Sequence, residues 1–145
     1  MGGNTDYLDI IGANYYYSNQ WEHCGERLRW EDTPRDSRMV PLSALLDELY
    51  HRYCRPVFVA ETSHWGADRG RWLREVASEV KVARCKGIPV EGICLYPVID
   101  RPDWENDTHW HQCGLWDLRD ESEVLERITN DDYAAELRRL QKLTT

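Results

Sequence analysis

Apolar positions along this chain fall into short unbroken runs and longer stretches of helical period, set apart by polar segments rich in Trp and Tyr. Pro56-Val57-Phe58-Val59-Ala60 does not alternate and is rich in branched and aromatic side chains, which predicts a strand at Val57 to Ala60 buried on both faces. Pro89 to Val98 has the same character. Tyr7-Leu8-Asp9-Ile10-Ile11-Gly12-Ala13 begins as a strand and runs into the polar aromatic cluster Asn14-Tyr15-Tyr16-Tyr17. Pro41 to Cys54 carries Leu42, Leu45, Leu46, Leu49, Tyr50 and Tyr53 at helical spacing, with Pro41 suited to a first turn. Arg71 to Lys86 predicts a second helix, turning Trp72, Leu73, Val76, Val80 and Ala83 inward and stopped by Gly87. The tail from Glu121 to Leu143 predicts one broken or two short helices, with Asp131 or Asp132 as a cap.

Each strand is followed by a segment of little period. Ser18 to Val40 is the longest, and a structureless loop of that length usually binds something or is disordered. A second follows Glu61, and a third runs from Asp100 through His109, Trp110, His111 and Cys113 to Gly114-Leu115-Trp116-Asp117-Leu118. The helix-to-strand joints are short by contrast. Strands alternating with helices imply parallel right-handed crossovers. Long loops after strands and short ones before them are the habit of (β/α)8, or TIM, barrels. The expected fold class is therefore α/β, a partial TIM barrel of about three β/α units with parallel strands. It is expected as one domain over residues 1–145; were the chain a truncated barrel, its open sheet edges would be exposed at Tyr7 to Ala13 and Val90 to Leu95.

Charge narrows the partners. The 145 residues hold 18 basic and 26 acidic side chains, a net −8 spread along the chain, which argues against nucleic acid and anionic membrane. No run is long enough for a membrane span. Met1 to Thr5 has neither the basic nor the apolar region of a secretory leader. Five cysteines without a C-x-x-C pair predict reduced thiols in a cytoplasmic protein. Seven Trp and eight Tyr stand against a single Phe. Rings with polar handles suit half-wet clefts that stack on sugars, and equally an aromatic core or a protein interface.

The chemistry-bearing position is Glu61, a carboxylate at the tip of an apolar strand that opens into Thr62-Ser63-His64-Trp65-Gly66. Such a residue is held on rigid backbone at the end where parallel α/β folds keep their sites. A strand-end Glu also caps helices or pairs with Arg. His109, His111 and Cys113 alternate and share a face if extended, with His23-Cys24 elsewhere, but without cysteine pairs this is a weak zinc signal and no metal is expected. Cys94, in mid-strand and apolar context, is expected to be buried and inert.

The third strand and its loop, from Gly92 to Trp104, resemble the eighth-strand motif of family-1, β-glucosidase-type glycoside hydrolases, G-x-x-x-W-S-x-x-D-N-x-E-W. Gly92, Asp100 and Trp104 match, while Tyr96, Pro97 and Asp103 stand for the Trp, Ser and Glu. Glu61 sits where the family has I-T-E-N-G, Asn14-Tyr15-Tyr16 matches N-Y-Y at the sixth strand, and Gly114-Leu115 resembles F-G-L. The resemblance spans residues 7 to 118. It implies a retaining double displacement between two carboxyl groups roughly 5 to 5.5 Å apart. Glu61 would be the nucleophile and Tyr15 or Tyr16 the phenol that hydrogen-bonds and orients it. Tyr96 would floor the sugar, Asp103 and Trp104 would hydrogen-bond its hydroxyls, and the matched Asn14 and Asp100 would belong to the same substrate site. The residues themselves add His64 and Trp65 beside Glu61, as sugar contacts or a packed loop tip, and His109 and His111, as a polar substrate-cleft loop or a solvated one.

Departures from the family are equally plain. The acid/base motif T-x-N-E-P of the fourth strand is absent from this chain, so the resemblance covers only the last part of a barrel. Thr62-Ser63 replaces Asn-Gly, and Tyr96-Pro97 replaces a Trp-Ser bond that is often cis, which predicts a cis bond here. The expected ligand is a β-glycoside, with no cofactor. A homo-oligomer or a partner chain would supply the rest of the barrel. The alternatives are a non-catalytic carbohydrate-binding or assembly module, and a truncated barrel without activity of its own.

Overall fold

The computed structural model describes residues 3–119 and 126–142. Its elements are β1 (Ile11–Asn14), α1 (Leu42–Tyr53), β2 (Val57–Thr62), α2 (Arg69–Cys85), β3 (Val90–Leu95), β4 (Trp116–Arg119), β5 (Glu126–Thr129) and α3 (Asp131–Lys142). The chain divides into two compact units, Met1–Thr62 with Val76–Cys94, and Ser63–Glu75 with Leu95–Thr145.

The first unit is built on a three-stranded sheet in the order β1-β2-β3, with β1 parallel to β2 and a helix between each consecutive pair. The α/β reading holds, and β1 and β3 are the two edges. Val57, Val59 and Thr62 are fully buried while Phe58, Ala60 and Glu61 are half-buried. β2 is thus covered completely on one face only, and the expectation of burial on both is corrected. Cys94 is corrected too: it is exposed, because β3 lies at the edge and only Val90 of that strand is fully buried.

Leu42 and Leu46 of α1 are buried as their spacing requires, but Tyr53 at the far end is exposed. Pro41 precedes the helix rather than opening it, and the Ser43 N–H is met by Glu79 Oε2 at 3.0 Å instead of a local cap. Trp72, Leu73, Val76, Val80 and Ala83 of α2 are all buried. The helix stops where Gly87 takes φ +86 and the Ile88 N–H returns to the Ala83 carbonyl.

In the second unit the tail departs from the all-helical expectation. β4 and β5 pair antiparallel, Trp116 against Thr129 and Leu118 against Arg127, and one helix follows. Its cap is Asn130, whose Oδ1 accepts the Tyr133 N–H at 2.9 Å, rather than Asp131 or Asp132. The part of the expected tail helices over 121–125 and at 143 lies outside the described residues. Arg69 is 4% exposed; its guanidinium grips both Asp117 carboxylate oxygens, at 2.7 and 3.1 Å, and the Gly114 carbonyl. Glu136 of α3 is held by Arg74 and Arg139. Among the described residues no helix is long and apolar enough to cross a membrane.

Candidate active site

The residues singled out from the sequence form two clusters, one in each unit. In the first unit, β1 pairs with β2 in regular register from Ile11↔Val57 to Ala13↔Val59, then skips Ala60 so that Asn14 faces Glu61. This is a β-bulge, a device that re-aims a side chain at a strand end. Burial along β2 slips by one residue at the same place, leaving Glu61 on the half-open face with Phe58 and Ala60 instead of the covered face of Val57 and Val59. Gly12 permits this packing on the neighbouring strand, since a Cβ there would lie 3.0 Å from both Ala60 Cβ and the Phe58 ring.

The two tyrosines then separate by role. The Tyr15 N–H donates to the Glu61 carbonyl at 2.9 Å, while the Tyr16 hydroxyl donates to Glu61 Oε2 at 2.8 Å. Tyr15 Oη instead accepts from Gln20 Nε2 at 3.0 Å. The Gln20 side-chain amide also pairs with the backbone of Val40, its Oε1 accepting the Val40 N–H at 2.7 Å and its Nε2 donating to the Val40 carbonyl at 2.8 Å, closing the long loop onto itself. Asn19 Oδ1 accepts the Tyr16 N–H and fixes the turn carrying the phenol. Arg27 stacks on Tyr17 with its carbon 5.0 Å from the ring centre, and Leu28 and Trp30 are buried. The loop from 18 to 40 is therefore pinned. Asn19 and Gln20 were not foreseen, and the only sequence signal is a short polar side chain three residues after a tyrosine, a common turn device.

In the second unit Asp100 is 5% exposed. Its two carboxylate oxygens accept the N–H groups of Gln112, at 3.0 Å, and Cys113, at 3.1 Å. Gln112 adopts φ 52, and a Cβ on Gly114 would lie 2.5 Å from the Asp100 nitrogen, so this loop return has room only for glycine. Burial, then the neighbouring Asp100 charge, pushes the Cys113 thiol up to about 12, so it stays protonated. Ser63 Oγ donates to the Cys113 carbonyl at 2.6 Å and the Gly66 N–H to the Gln112 carbonyl at 2.9 Å.

His64 is 3% exposed, with Nδ1 2.8 Å from the Trp65 carbonyl and its ring between those of Trp65 and Trp72. Trp65 itself is exposed, as is Tyr96, and the Tyr96–Pro97 bond is cis as expected. Beyond Asp100 the chain forms a small hairpin. Pro102 bridges Trp110, the Asp103 N–H donates to the His109 carbonyl, and the His111 N–H to the Arg101 carbonyl. Asp103 Oδ1 accepts the N–H groups of Glu105 and Asn106, while Oδ2 lies 2.8 Å from His111 Nε2. Those backbone donors, with His111 behind them, hold the Asp103 carboxyl below its ordinary range. His109 sits edge-on to His111 at 5.5 Å, and Trp104 projects from the hairpin. Among the described residues no three His, Cys, Asp or Glu side chains come together as a metal site.

No protein-family model and no curated protein matches this chain. Solved structures do. A β-glucosidase from Exiguobacterium marinum superposes with a TM-score of 0.68 at 16% identity, over 94% of this chain and 35% of its own. The β-glycosidase from Thermosphaera aggregans gives 0.66 at 21%, over 95% and 35%. The family 1 β-glucosidase from Thermotoga maritima gives 0.67 at 14%, over 92% and 34%. In fold, this chain is similar to about a third of a β-glucosidase. At these identities the likeness concerns fold, and the chain spans about a third of the length of the structures it matches.

Proposed function

We propose that this chain is the C-terminal part of a glycosidase-type TIM barrel and that Glu61 is its nucleophile toward β-glycosides. One observation carries the reading: the Tyr16 hydroxyl donates at 2.8 Å to a carboxylate that a bulge has turned onto the open face of a parallel strand end. A carboxylate so oriented attacks the anomeric carbon, forming a glycosyl ester as the aglycone departs. Water then cleaves the ester, returning the Glu61 carboxylate and releasing the sugar with retained configuration. A poor leaving group needs a proton in the first step, and water must lose one in the second. Both tasks belong to an acid/base residue on strands outside this sequence, carried by the same or a separate polypeptide.

Within the first unit Asn14, paired with Glu61 across the bulge, is the candidate sugar contact, and within the second unit the candidates are Trp65, Tyr96, Asp103, Trp104, His109 and His111. Asp100, whose two carboxylate oxygens accept N–H groups of its own loop, and His64, whose Nδ1 meets the Trp65 carbonyl, position those contacts. Chemistry that bypasses the missing acid/base tests the proposal. An aryl β-glycoside with an acidic phenol leaves as the phenolate without protonation, and azide attacks the glycosyl ester without a base. Azide is expected to raise phenolate release by the purified chain and to give a β-glycosyl azide; azide-independent background release in both wild type and Glu61→Gln would overturn it.

A further inference from the structure

The Tyr16 phenol is carried on a tight turn, and what holds that turn on its far side has no part in the double displacement. The Asn19 N–H donates to the Tyr16 carbonyl at 3.0 Å, and the Asn19 side-chain oxygen accepts the Tyr16 N–H. On the β1 side the turn is fixed by the Tyr15 N–H on the Glu61 carbonyl, at 2.9 Å. On the far side it is fixed by Gln20. Gln20 Nε2 donates to Tyr15 Oη at 3.0 Å and to the Val40 carbonyl at 2.8 Å, while Oε1 accepts the Val40 N–H at 2.7 Å. Both amide protons and the amide oxygen are therefore engaged. Val40 stands directly before Pro41, whose carbonyl accepts the Ala44 N–H at the start of α1. Leu42 and Leu46 are buried and seat that helix. The turn is thus mounted on the sheet at one end and on the entrance of α1 at the other.

We propose that Gln20 is a positioning residue that holds the Tyr16 phenol on Glu61 by tying its turn to the entrance of α1. A turn fixed at one end only can rock, and a small rotation is magnified at the end of a tyrosine side chain. An O–H···O bond weakens steeply once it is bent. The second mount therefore keeps the 2.8 Å bond to Glu61 Oε2 aligned while charge leaves that carboxylate. The residue type follows from the chemistry. An amide of this length brings two protons and one acceptor to Tyr15 and Val40 together. A glutamate has the same shape but cannot donate, and it would set its charge against the Val40 carbonyl. Gln20 touches neither Glu61 nor the reacting atoms, and acts through Tyr16. The inference rests on the reading of Glu61 as the reacting carboxylate.

The test reads the phenol itself, by NMR on the purified chain with tyrosine carbon-labelled at Cζ. The line missing from Tyr16→Phe belongs to Tyr16. Glu61→Gln is expected to shift that line, because a neutral amide replaces the charged acceptor. Gln20→Ala and Gln20→Glu should each move it the same way by about half as much or more. Gln20→Glu separates hydrogen bonding from space filling, since a side chain that only filled space would be replaced without effect. Arg38→Ala, which removes the Asp36 and Glu22 contacts elsewhere in the same loop, should leave the line in place. Near-ultraviolet circular dichroism checks that each variant is folded. With a dinitrophenyl 2-deoxy-2-fluoro-β-glucoside, labelling of both Gln20 variants at saturation should be slower by about tenfold, with half-saturation within about threefold of wild type. A Tyr16 line unmoved by the Gln20 variants, or moved equally by Arg38→Ala, would overturn the inference, as would labelling of those variants at the wild-type rate. Lines that move as expected in a chain that takes up no label would overturn Glu61 as nucleophile and leave the role of Gln20 standing. A line that Glu61→Gln leaves in place would overturn both.

Discussion

Tyr15 and Tyr16 are chemically identical neighbours with opposite duties, and only backbone geometry separates them. From sequence either could be the phenol on Glu61; the Asn19 turn and the bulge at Ala60 give that place to Tyr16. A hydrogen bond to a charged acceptor contributes about 1.5–3 kcal/mol. Tyr16→Phe should therefore slow glycosylation of Glu61 by an activated glycoside by about ten- to a hundredfold. Tyr15→Phe, which loses the hydrogen bond from Gln20 and leaves the Tyr16 hydroxyl on Glu61, should cost about 1 kcal/mol of stability and leave the rate within about threefold. Stopped-flow release of the phenol, set beside thermal unfolding, checks both. Equal rate losses in the two variants would contradict the assignment. His64 and Asp100 show the opposite case. The sequence suggests sugar contact for Asp100 and either that or a packed loop tip for His64; both are buried and bonded to backbone of their own loops, and sequence carries little sign of burial for a polar residue inside a loop.

At the scale of elements, α1, α2 and the β2 strand were legible because period and composition agree there. The apolar face of α2 survives intact from Trp72 to Ala83. β5 was not legible: Glu126-Arg127-Ile128-Thr129 is short and charged, and it forms a strand because β4 offers an antiparallel partner. The half-exposure of β3 was hidden for a related reason, since an apolar run does not record whether a sheet is closed over it. The helix that follows depends on charge. Arg139 first, then Arg74, hold the Glu136 carboxyl at about 2, well below the usual carboxylate range. Its folded value lies below its unfolded one, so the unfolded chain takes up the proton first as the solution is acidified. That contribution is complete above about pH 5 and is lost as pH falls toward 2. Melting temperature measured from pH 7 to pH 2.5 should therefore fall less steeply in Glu136→Gln than in wild type. Parallel curves would contradict it.

For the molecule as a whole, the informative feature is what the sheet leaves open. Parallel sheets are ordinarily covered on both faces, yet one face of β2 is only half-buried and β1 and β3 both end the sheet. Among the described residues no strand pairs with the outer edge of β1 or β3, which fits the proposal of a barrel segment, and the matched β-glucosidase structures are about three times the length of the matched segment. The loop after β1 is pinned and the Tyr16 hydroxyl donates to Glu61, the proposed nucleophile. Its chemistry can be read directly by incubating the chain with a 2-deoxy-2-fluoro-β-glycoside bearing a dinitrophenyl leaving group, which departs unprotonated, and weighing the intact protein. The account predicts a single fluoro-sugar adduct that maps to Glu61 and is absent from Glu61→Gln; no adduct, or one that persists in that variant, would contradict it.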